Sequence, residues 1–168
     1  MMDEARFQKF YECTARPLYV YLLRLTGDRT LTDDVSQEAF TRLLQRELDD
    51  PSDEKMKSYL FTTATNLCRD YWRSRKSAGW DADSAADRGS NHQEREADLR
   101  HTFETVFESL TPQQRSLVWL SYVEGYSHRE VAAMLDLREK SVRVLLFRAK
   151  KKLSGVLTAI GIGKEDLP

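Results

Sequence analysis

A chain of 168 residues is long enough for one domain or two small ones. Apolar residues make up 40% and charged residues 32%, which is ordinary for a helical globular protein, and a net charge of −1 excludes a uniform polycation. The charge is unevenly distributed, because residues 77–98 hold six acidic and two basic side chains, whereas residues 99–168 hold eleven basic and eight acidic ones. An acidic middle therefore separates two parts of the chain.

Neither the cysteines nor the N-terminus indicates an exported or metal-binding protein. Cys13 and Cys68 form no metal-ligand spacing and no disulfide framework, and both are predicted to be small buried apolar groups. The first ten residues have no apolar signal region, and there is no apolar run of about 18 residues that could cross a membrane. We therefore expect the protein in the cytosol.

Apolar side chains at helical spacing begin the chain. Residues 7–11 and 18–25 predict two helical pieces, which Pro17 separates or starts because proline lacks a backbone amide proton. Gly27 is predicted to cap the second piece at its C-terminus.

The next helix is predicted to begin near Thr32, a residue type that caps helix N-termini, and to bury Val35, Ala39 and Leu43. Its opposite face carries carboxylates, an amide and a hydroxyl: Asp34, Gln37, Glu38 and Thr41. Taken alone, this face is best interpreted as a solvated surface.

A longer helix is predicted from about Lys55 to Ser77. Four side chains at helical spacing are expected to form its buried stripe: Leu60, Ala64, Leu67 and Tyr71. The exposed face carries an amide and basic groups at steps of three and four, with two aromatic rings beside them: Asn66, Arg69, Arg73 and Lys76, then Tyr71 and Trp72. Such a face suits a nucleic-acid strand, and a basic surface over core aromatics is an equally good interpretation at this point.

Residues 78–98 lack periodic apolar side chains and are small, polar and acidic. We interpret them as a flexible linker between two helical domains. Trp80 is the exception in this segment, and docking on a neighbouring element is one interpretation of it.

The stretch from Leu110 to Leu153 predicts a helix-turn-helix. Capping boxes are expected at Thr111 with Gln114 and at Ser127 with Glu130. After a connector of about three residues, a second helix has an apolar stripe at steps of four, three and four: Val142, Leu146, Ala149 and Leu153.

That second helix is strongly basic. From Arg138 to Lys152 there are seven basic residues and one acid, Glu139. A helix with this charge suits phosphates and base edges in a major groove, and an ordinary solvated helix is the alternative.

Three blocks of sequence, in this order, resemble bacterial extracytoplasmic-function sigma factors, the two-domain subunits that direct RNA polymerase to promoters. DDVSQEAFTRLLQR is similar to the helix that docks on the polymerase β′ clamp, and SYLFTTATNLCRDYWRSRKS to the segment that melts and reads the promoter −10 element. LTPQQRSLVWLSYVEGYSHREVAAMLDLREKSVRVLLFRAKKKL is similar to the domain that reads the −35 element. The resemblance implies an all-α fold with sigma region 2 at 1–77, a flexible acidic linker at 78–98 and sigma region 4, a helix-turn-helix domain, at 99–168.

The resemblance also implies three sets of site residues. The set that binds core polymerase is Asp34, Gln37, Glu38 and Thr41. The −10 set is Asn66, Arg69, Tyr71, Trp72, Arg73, Arg75 and Lys76, in which Asn66 falls where the family holds a flipped base. The −35 set is Arg138, Lys140, Ser141, Arg143, Val144, Phe147, Arg148 and Lys151.

The implied partners are core RNA polymerase, through its β′ clamp and β flap, and promoter DNA. Family members are often held inactive by an anti-sigma protein, which is a further implied partner. The resemblance implies no membrane insertion, no catalytic residue, no metal and no cofactor.

The chain departs from the family pattern at the corner before the recognition helix. The family usually has a glycine, a serine-like cap and a second glycine where this chain has Asp136, Arg138 and Lys140. Asp136 is expected to tolerate left-handed backbone, and loss of the capping serine to cost about 1 kcal/mol. Val144 and Leu145 replace a small polar residue and an arginine, so we expect weak sequence preference at the −35 element.

Two other classes of function compete with a sigma factor. A stand-alone helix-turn-helix activator or repressor would use the first 76 residues as a sensor or dimerisation domain. A hydrolase or metal enzyme is the weakest interpretation, because the three histidines are scattered and no glycine-rich phosphate loop occurs.

Overall fold

A computed structural model of the chain describes residues 2–48, 52–75, 80, 98–159 and 161. For residues 98–102 it describes the helix but not the side chains. Within those residues all regular structure is helical, which confirms the predicted all-α class. The helices form two compact units, the first built from the N-terminal helices and the second mostly from the C-terminal ones.

Three long helices form the first unit: α1 (Glu4–Thr26), α2 (Arg29–Gln45) and α3 (Asp53–Ser74). Four helices belong mainly to the second: α4 (Asp98–Glu108), α5 (Pro112–Val118), α6 (His128–Met134) and α7 (Glu139–Ala159). A π-helical segment, Trp119–Val123, continues α5.

Helix α1 is continuous through Pro17, so the prediction of two helical pieces was wrong. An interior proline removes one hydrogen bond and costs about 3 kcal/mol. The residues on both sides of it, including Thr14, Leu18 and Tyr21, are buried where α1 packs on α2 and α3. Packing of this face outweighs the proline, because each fully buried large apolar side chain contributes about 1.5–3 kcal/mol. The predicted cap at Gly27 is confirmed, since its φ of 66° is left-handed.

Helix α2 begins one turn earlier than the sequence indicated. Its N-cap is Asp28, whose carboxylate accepts the amide proton of Leu31 at 3.1 Å. Thr32 is completely buried, and its hydroxyl donates to the Asp28 carbonyl at 2.8 Å. The prediction of Thr32 as the cap was therefore wrong, because its hydroxyl bonds back within the first turn instead of capping it.

Helix α3 buries a wider stripe than predicted. Leu60 and Ala64 are fully buried as expected, whereas Leu67 and Tyr71 are only half-buried. The other buried residues of α3 are Met56, Phe61, Thr63, Thr65, Cys68 and Trp72.

The two cysteines differ in their surroundings. Cys68 is buried, as predicted, and burial raises the pKa of its thiol to about 12. Cys13 is exposed on α1, so its predicted burial was wrong. It lies on the outer side of an amphipathic helix next to the buried Thr14.

The second unit has the predicted capping boxes. The Thr111 hydroxyl accepts the Gln114 amide proton at 3.2 Å, and the Gln114 side chain accepts the Thr111 amide proton at 3.0 Å. At the start of α6, Ser127 and Glu130 make the same reciprocal pair, at 2.7 and 3.2 Å. Hydrogen bonds from Ser127 lower the pKa of the Glu130 carboxyl.

Most of the predicted acidic linker, residues 78–98, lies outside the described residues, as do Lys76 and residues 162–168. Within the described ranges, no helix is both long enough and apolar enough to span a membrane.

Candidate nucleic-acid and partner interfaces

The polar face of α2 is exposed. All four residues of the predicted docking set, Asp34, Gln37, Glu38 and Thr41, are exposed. The opposite side of the helix is fixed in the core by Thr32 and five buried apolar side chains: Leu31, Val35, Ala39, Phe40 and Leu43. The packing behind this polar face therefore keeps it turned toward the surface.

Two of these polar groups already have intrahelical partners. Glu38 pairs with Arg42 at 2.7 Å, and the Thr41 hydroxyl donates to the Gln37 carbonyl at 2.8 Å. An exposed ion pair one helical turn apart contributes only a few tenths of a kcal/mol to the stability of a helix, about 0.2–0.5. Glu38 can therefore leave Arg42 and pair with a cation of a partner at a small cost in free energy.

A buried hydrogen-bond chain determines which side of α3 faces outward. Thr65 donates to the Phe61 carbonyl at 2.7 Å, and its oxygen lies 2.8 Å from the Tyr21 hydroxyl of α1. Since the Thr65 proton is already used, Tyr21 is the donor in the second bond. These buried bonds fix the rotation of α3 and leave the next residue, Asn66, pointing to the surface.

Asn66 is exposed, and its amide has no hydrogen-bond partner among the described residues. A side-chain amide carries both donors and an acceptor, so it can pair with the edge of an extruded base.

Basic groups flank Asn66 along α3. Arg73 and Arg75 are exposed, and Arg69 is half-buried. Burial and the neighbouring Arg73 lower the pKa of the Arg69 guanidinium, which still leaves it charged at neutral pH. The Arg75 guanidinium lies 4.4 Å from the centre of the Tyr71 ring, an arrangement that holds ring and cation at the surface.

Trp72 differs from the other members of the −10 set, because only 6% of it is exposed. In this structure its ring is a core group and is not open to a strand. Lys76, the last member of that set, lies outside the described residues.

The corner before α7 forms without the family glycine. Asp136 has a φ of 53°, and the amide of Leu137 donates to the Ala132 carbonyl at 2.8 Å. This is the bond that closes a helix C-terminus around a left-handed residue. At the start of α7 the Arg138 carbonyl accepts the amide protons of Ser141 and Val142, at 2.9 and 3.1 Å. The guanidinium of Arg138 has no acceptor atom with which to replace the missing serine cap.

Helix α7 has an apolar side and a basic side, as predicted. Val142, Leu146 and Ala149 are buried, whereas Leu153 is half-buried. Ser141 is half-buried, and the other seven members of the −35 set are exposed: Arg138, Lys140, Arg143, Val144, Phe147, Arg148 and Lys151.

The outer face of α7 also presents large apolar groups. Phe147 is 69% exposed and Val144 is 49% exposed. Apolar groups can contact a thymine methyl but cannot hydrogen-bond to a base. The face therefore combines charges for phosphates with apolar surface for methyl groups.

Sequence patterns did not reveal two cation–ring pairs near these faces. The Arg46 guanidinium lies 4.5 Å from the centre of the Tyr59 ring, and Tyr59 precedes Asn66 by seven residues on α3. The Lys150 ammonium lies 4.7 Å from the centre of the Tyr122 ring in the π-helical segment. The seven-residue spacing from Asn66 could have indicated Tyr59, because residues two turns apart share a helix face.

Models of two protein families match the chain. The model described as sigma-70 region 2 matches residues 10–78, and the model described as sigma-70 region 4 matches residues 100–153.

Curated relatives extend the similarity over nearly the whole chain. The chain is 30% identical over 165 residues to the ECF RNA polymerase sigma factor SigL of Mycobacterium tuberculosis, covering 95% of this chain and 93% of SigL. It is 24% identical over 161 residues to the ECF RNA polymerase sigma factor SigX of Bacillus subtilis, covering 89% of this chain and 82% of SigX.

Solved structures share the fold. The sigma factor RpoE of Bartonella quintana, in complex with the anti-sigma factor NepR, superposes with a TM-score of 0.66 at 20% identity, covering 90% of this chain and 96% of RpoE. CnrH, in complex with the cytosolic domain of CnrY, also gives 0.66, at 24% identity, covering 94% of this chain and 90% of CnrH. Together with the identity to SigL over almost all of both chains, the two sigma-70 regions show that this chain belongs to the ECF family of RNA polymerase sigma factors, which bind core polymerase and direct promoter-specific transcription initiation.

Proposed function

We propose that this sigma factor divides its work among three faces. The polar face of α2 docks on the clamp of the β′ subunit, the Asn66 face of α3 opens and reads the −10 element, and the outer face of α7 contacts the −35 element. In this assignment residues 1–77 act as region 2, residues 78–98 as the linker, and residues 99–168 as region 4, which also meets the β flap. The protein is a binding subunit of polymerase in the cytoplasm and performs no catalysis of its own.

The observation that carries the proposal is that the first unit exposes two polar faces of different chemistry. α2 presents exposed carboxylates and amides, and α3 presents, among arginines, an amide that has no hydrogen-bond partner within the described ranges. A partner with basic groups can dock on the first while a nucleic-acid strand contacts the second, because the two faces have opposite charge. A stand-alone regulator would need a sensor where the region 2 model matches residues 10–78, so that alternative is not favoured.

Charge reversal on α2 tests the docking assignment. Asp34→Lys together with Glu38→Lys should abolish binding to core polymerase, because both lysines would meet the basic surface expected on the partner. Both positions are exposed, so helicity measured by circular dichroism should not change. The matched control is Glu12→Lys with Glu54→Lys, an equal change of charge at exposed positions of α1 and α3. Wild-type core affinity in the α2 double variant would refute the assignment.

An anti-sigma protein is a second proposed partner. The observation favouring it is that two proteins sharing this fold, RpoE and CnrH, were solved as complexes, the first with an anti-sigma factor. Such a partner would compete with core polymerase for the α2 face. Competition binding with a candidate anti-sigma protein tests this, and simultaneous binding of both partners would contradict it.

A further inference from the structure

Val144 lies in the middle of the outward side of α7. At about 100° per residue it is about 160° around the helix from Val142 and Leu146 and about 140° from Ala149. Those three side chains are the buried ones of α7, and Val144 is 49% exposed. A branched apolar side chain therefore points almost directly away from the core of the second unit.

Cations surround this valine on the same side of the helix. Lys140 and Arg148 lie one turn before and one turn after it, each about 40° around the helix, and Lys151 follows after two turns. Residues 140–151 contain no acid. Among the residues that the structure describes, neither these three cations nor Arg143 has an ion pair or a ring contact. An uncharged centre with cations around it matches a duplex, in which a phosphate backbone runs along each side of the major groove.

The floor of the major groove offers an apolar side chain one favourable partner. Thymine carries a 5-methyl group there, and the other groups that distinguish the base pairs are hydrogen-bond donors and acceptors. Valine placed against a donor or an acceptor removes its water and supplies no hydrogen bond in return, which is unfavourable. Placed against a methyl group, the same side chain buries apolar surface and leaves no polar group unsatisfied. Both effects favour thymine opposite Val144.

We propose that Val144 contacts the 5-methyl group of one thymine in the −35 element and so makes α7 prefer thymine at that position. This rests on the proposed function, because it requires α7 to lie in the major groove of the −35 element. It adds to that function the chemical group that is read. The ECF family commonly has a small polar residue where this chain has Val144, so the preference is particular to this chain.

The preference is expected to be small. One methyl group buried against an apolar side chain changes affinity by about fourfold. A bidentate hydrogen-bonded pair discriminates between bases by about fivefold to 150-fold. Contact with a methyl group therefore gives a bias toward one base and not a stringent requirement for it.

Uracil scanning of the −35 element tests the contact, because deoxyuridine differs from thymidine only in lacking the methyl group. The full chain bound to core polymerase is titrated at a fixed salt concentration with promoter duplexes in which each −35 thymine is replaced in turn. One replacement should weaken binding by about fourfold. In Val144→Ala the same replacement should change affinity by less than about 1.5-fold, whereas Val144→Ile should keep the full effect. Absence of a sensitive thymine, or an equal loss in the wild type and in Val144→Ala, would overturn the proposal.

Two further variants separate Val144 from other exposed apolar groups. Val123→Ala makes the same substitution at a valine that is 58% exposed in the π-helical segment, outside α7, and it should keep the fourfold loss. Phe147→Ala should weaken binding to the thymine and uracil duplexes equally, because its ring lies about 60° to one side of Val144. A loss that is abolished in Phe147→Ala and kept in Val144→Ala would assign the methyl group to the ring and contradict the proposal.

Returning a methyl group to a different base gives the converse test. With the sensitive T·A pair changed to C·G, 5-methylcytosine should bind the wild type about fourfold more tightly than cytosine does, because its methyl group occupies the same place in the groove. Val144→Ala should bind the two duplexes equally. No gain from the added methyl group in the wild type would refute the contact.

The two proposals fail in different ways. If Arg143→Ala and Arg148→Ala leave promoter binding unchanged, α7 does not contact DNA and that part of the proposed function fails. If both arginine variants weaken binding and no loss on uracil substitution depends on Val144, the methyl contact fails and the proposed function stands.

Discussion

The two helices that we propose to contact DNA, α3 and α7, present different chemical groups. On α3 the exposed amide of Asn66 has no hydrogen-bond partner in the part of the chain that the structure describes, and it lies next to Thr65, which the buried Tyr21 hydroxyl holds. On α7 the outward residues are cations and the apolar side chains of Val144 and Phe147. Hydrogen bonds to base edges specify sequence, whereas phosphate contacts position a protein without specifying it. We infer that base discrimination is concentrated in the first unit and that the second mainly supplies affinity.

The largest expected effect comes from removing the amide. Asn66→Ala should leave binding to core polymerase unchanged and reduce open-complex formation by about tenfold to a hundredfold, since one such base contact contributes about 1–3 kcal/mol. Permanganate footprinting of the melted strand measures it. Glu54→Ala, at an exposed position at the start of α3, is the control. Normal melting by Asn66→Ala would mean that the base is held elsewhere.

A smaller effect should separate the charges of α7 from its apolar groups. Arg143→Ala and Arg148→Ala should each weaken DNA binding uniformly across sequences. Each should also lower the slope of the logarithm of the binding constant against the logarithm of salt concentration by about one, since one phosphate contact is lost. Phe147→Ala should weaken binding with no change in salt dependence, because it removes no charge. Titrations of the full chain with core polymerase over a range of salt concentrations measure both. If either arginine variant changed sequence preference more than affinity, α7 would be reading bases through that guanidinium.

The smallest effect concerns the corner that presents α7. Asp136 has left-handed backbone, a conformation that glycine adopts freely and alanine does not. Asp136→Gly should therefore be more stable than Asp136→Ala by about 1 kcal/mol. Because both variants lose the same charge, the comparison isolates the backbone. Urea denaturation gives the difference, and equal stability of the two variants would show that the corner relaxes to another conformation.

Local signals made much of this fold predictable. The capping boxes at Thr111 and Ser127 and the left-handed Gly27 and Asp136 each depend on residues within one turn, so the sequence contains all the information they require. The stripe of α7 followed in the same way from helical periodicity.

Other features depend on contacts that the local sequence does not contain. Helix α1 passes through Pro17 because its face is buried on two other helices, and Cys13 is exposed because it lies on the opposite side. The buried stripe of α3 is wider than periodicity indicated, because Thr65 joins it through its bond to Tyr21. The Trp80 carbonyl accepts the amide proton of Gln113, which lies 33 residues away in sequence, so no pattern around the tryptophan could identify this partner.

The comparison between α3 and α7 is tested most directly by saturation mutagenesis of one promoter, read out by run-off transcription at a fixed salt concentration. Our account predicts that single changes at −35 positions cost less than about 1 kcal/mol each, below the usual cost of about 1–3 kcal/mol per mismatch, whereas single changes in the −10 element cost more. Equal stringency at the two elements would contradict the account, because Val144 and Phe147 would then be discriminating bases as strongly as the Asn66 amide.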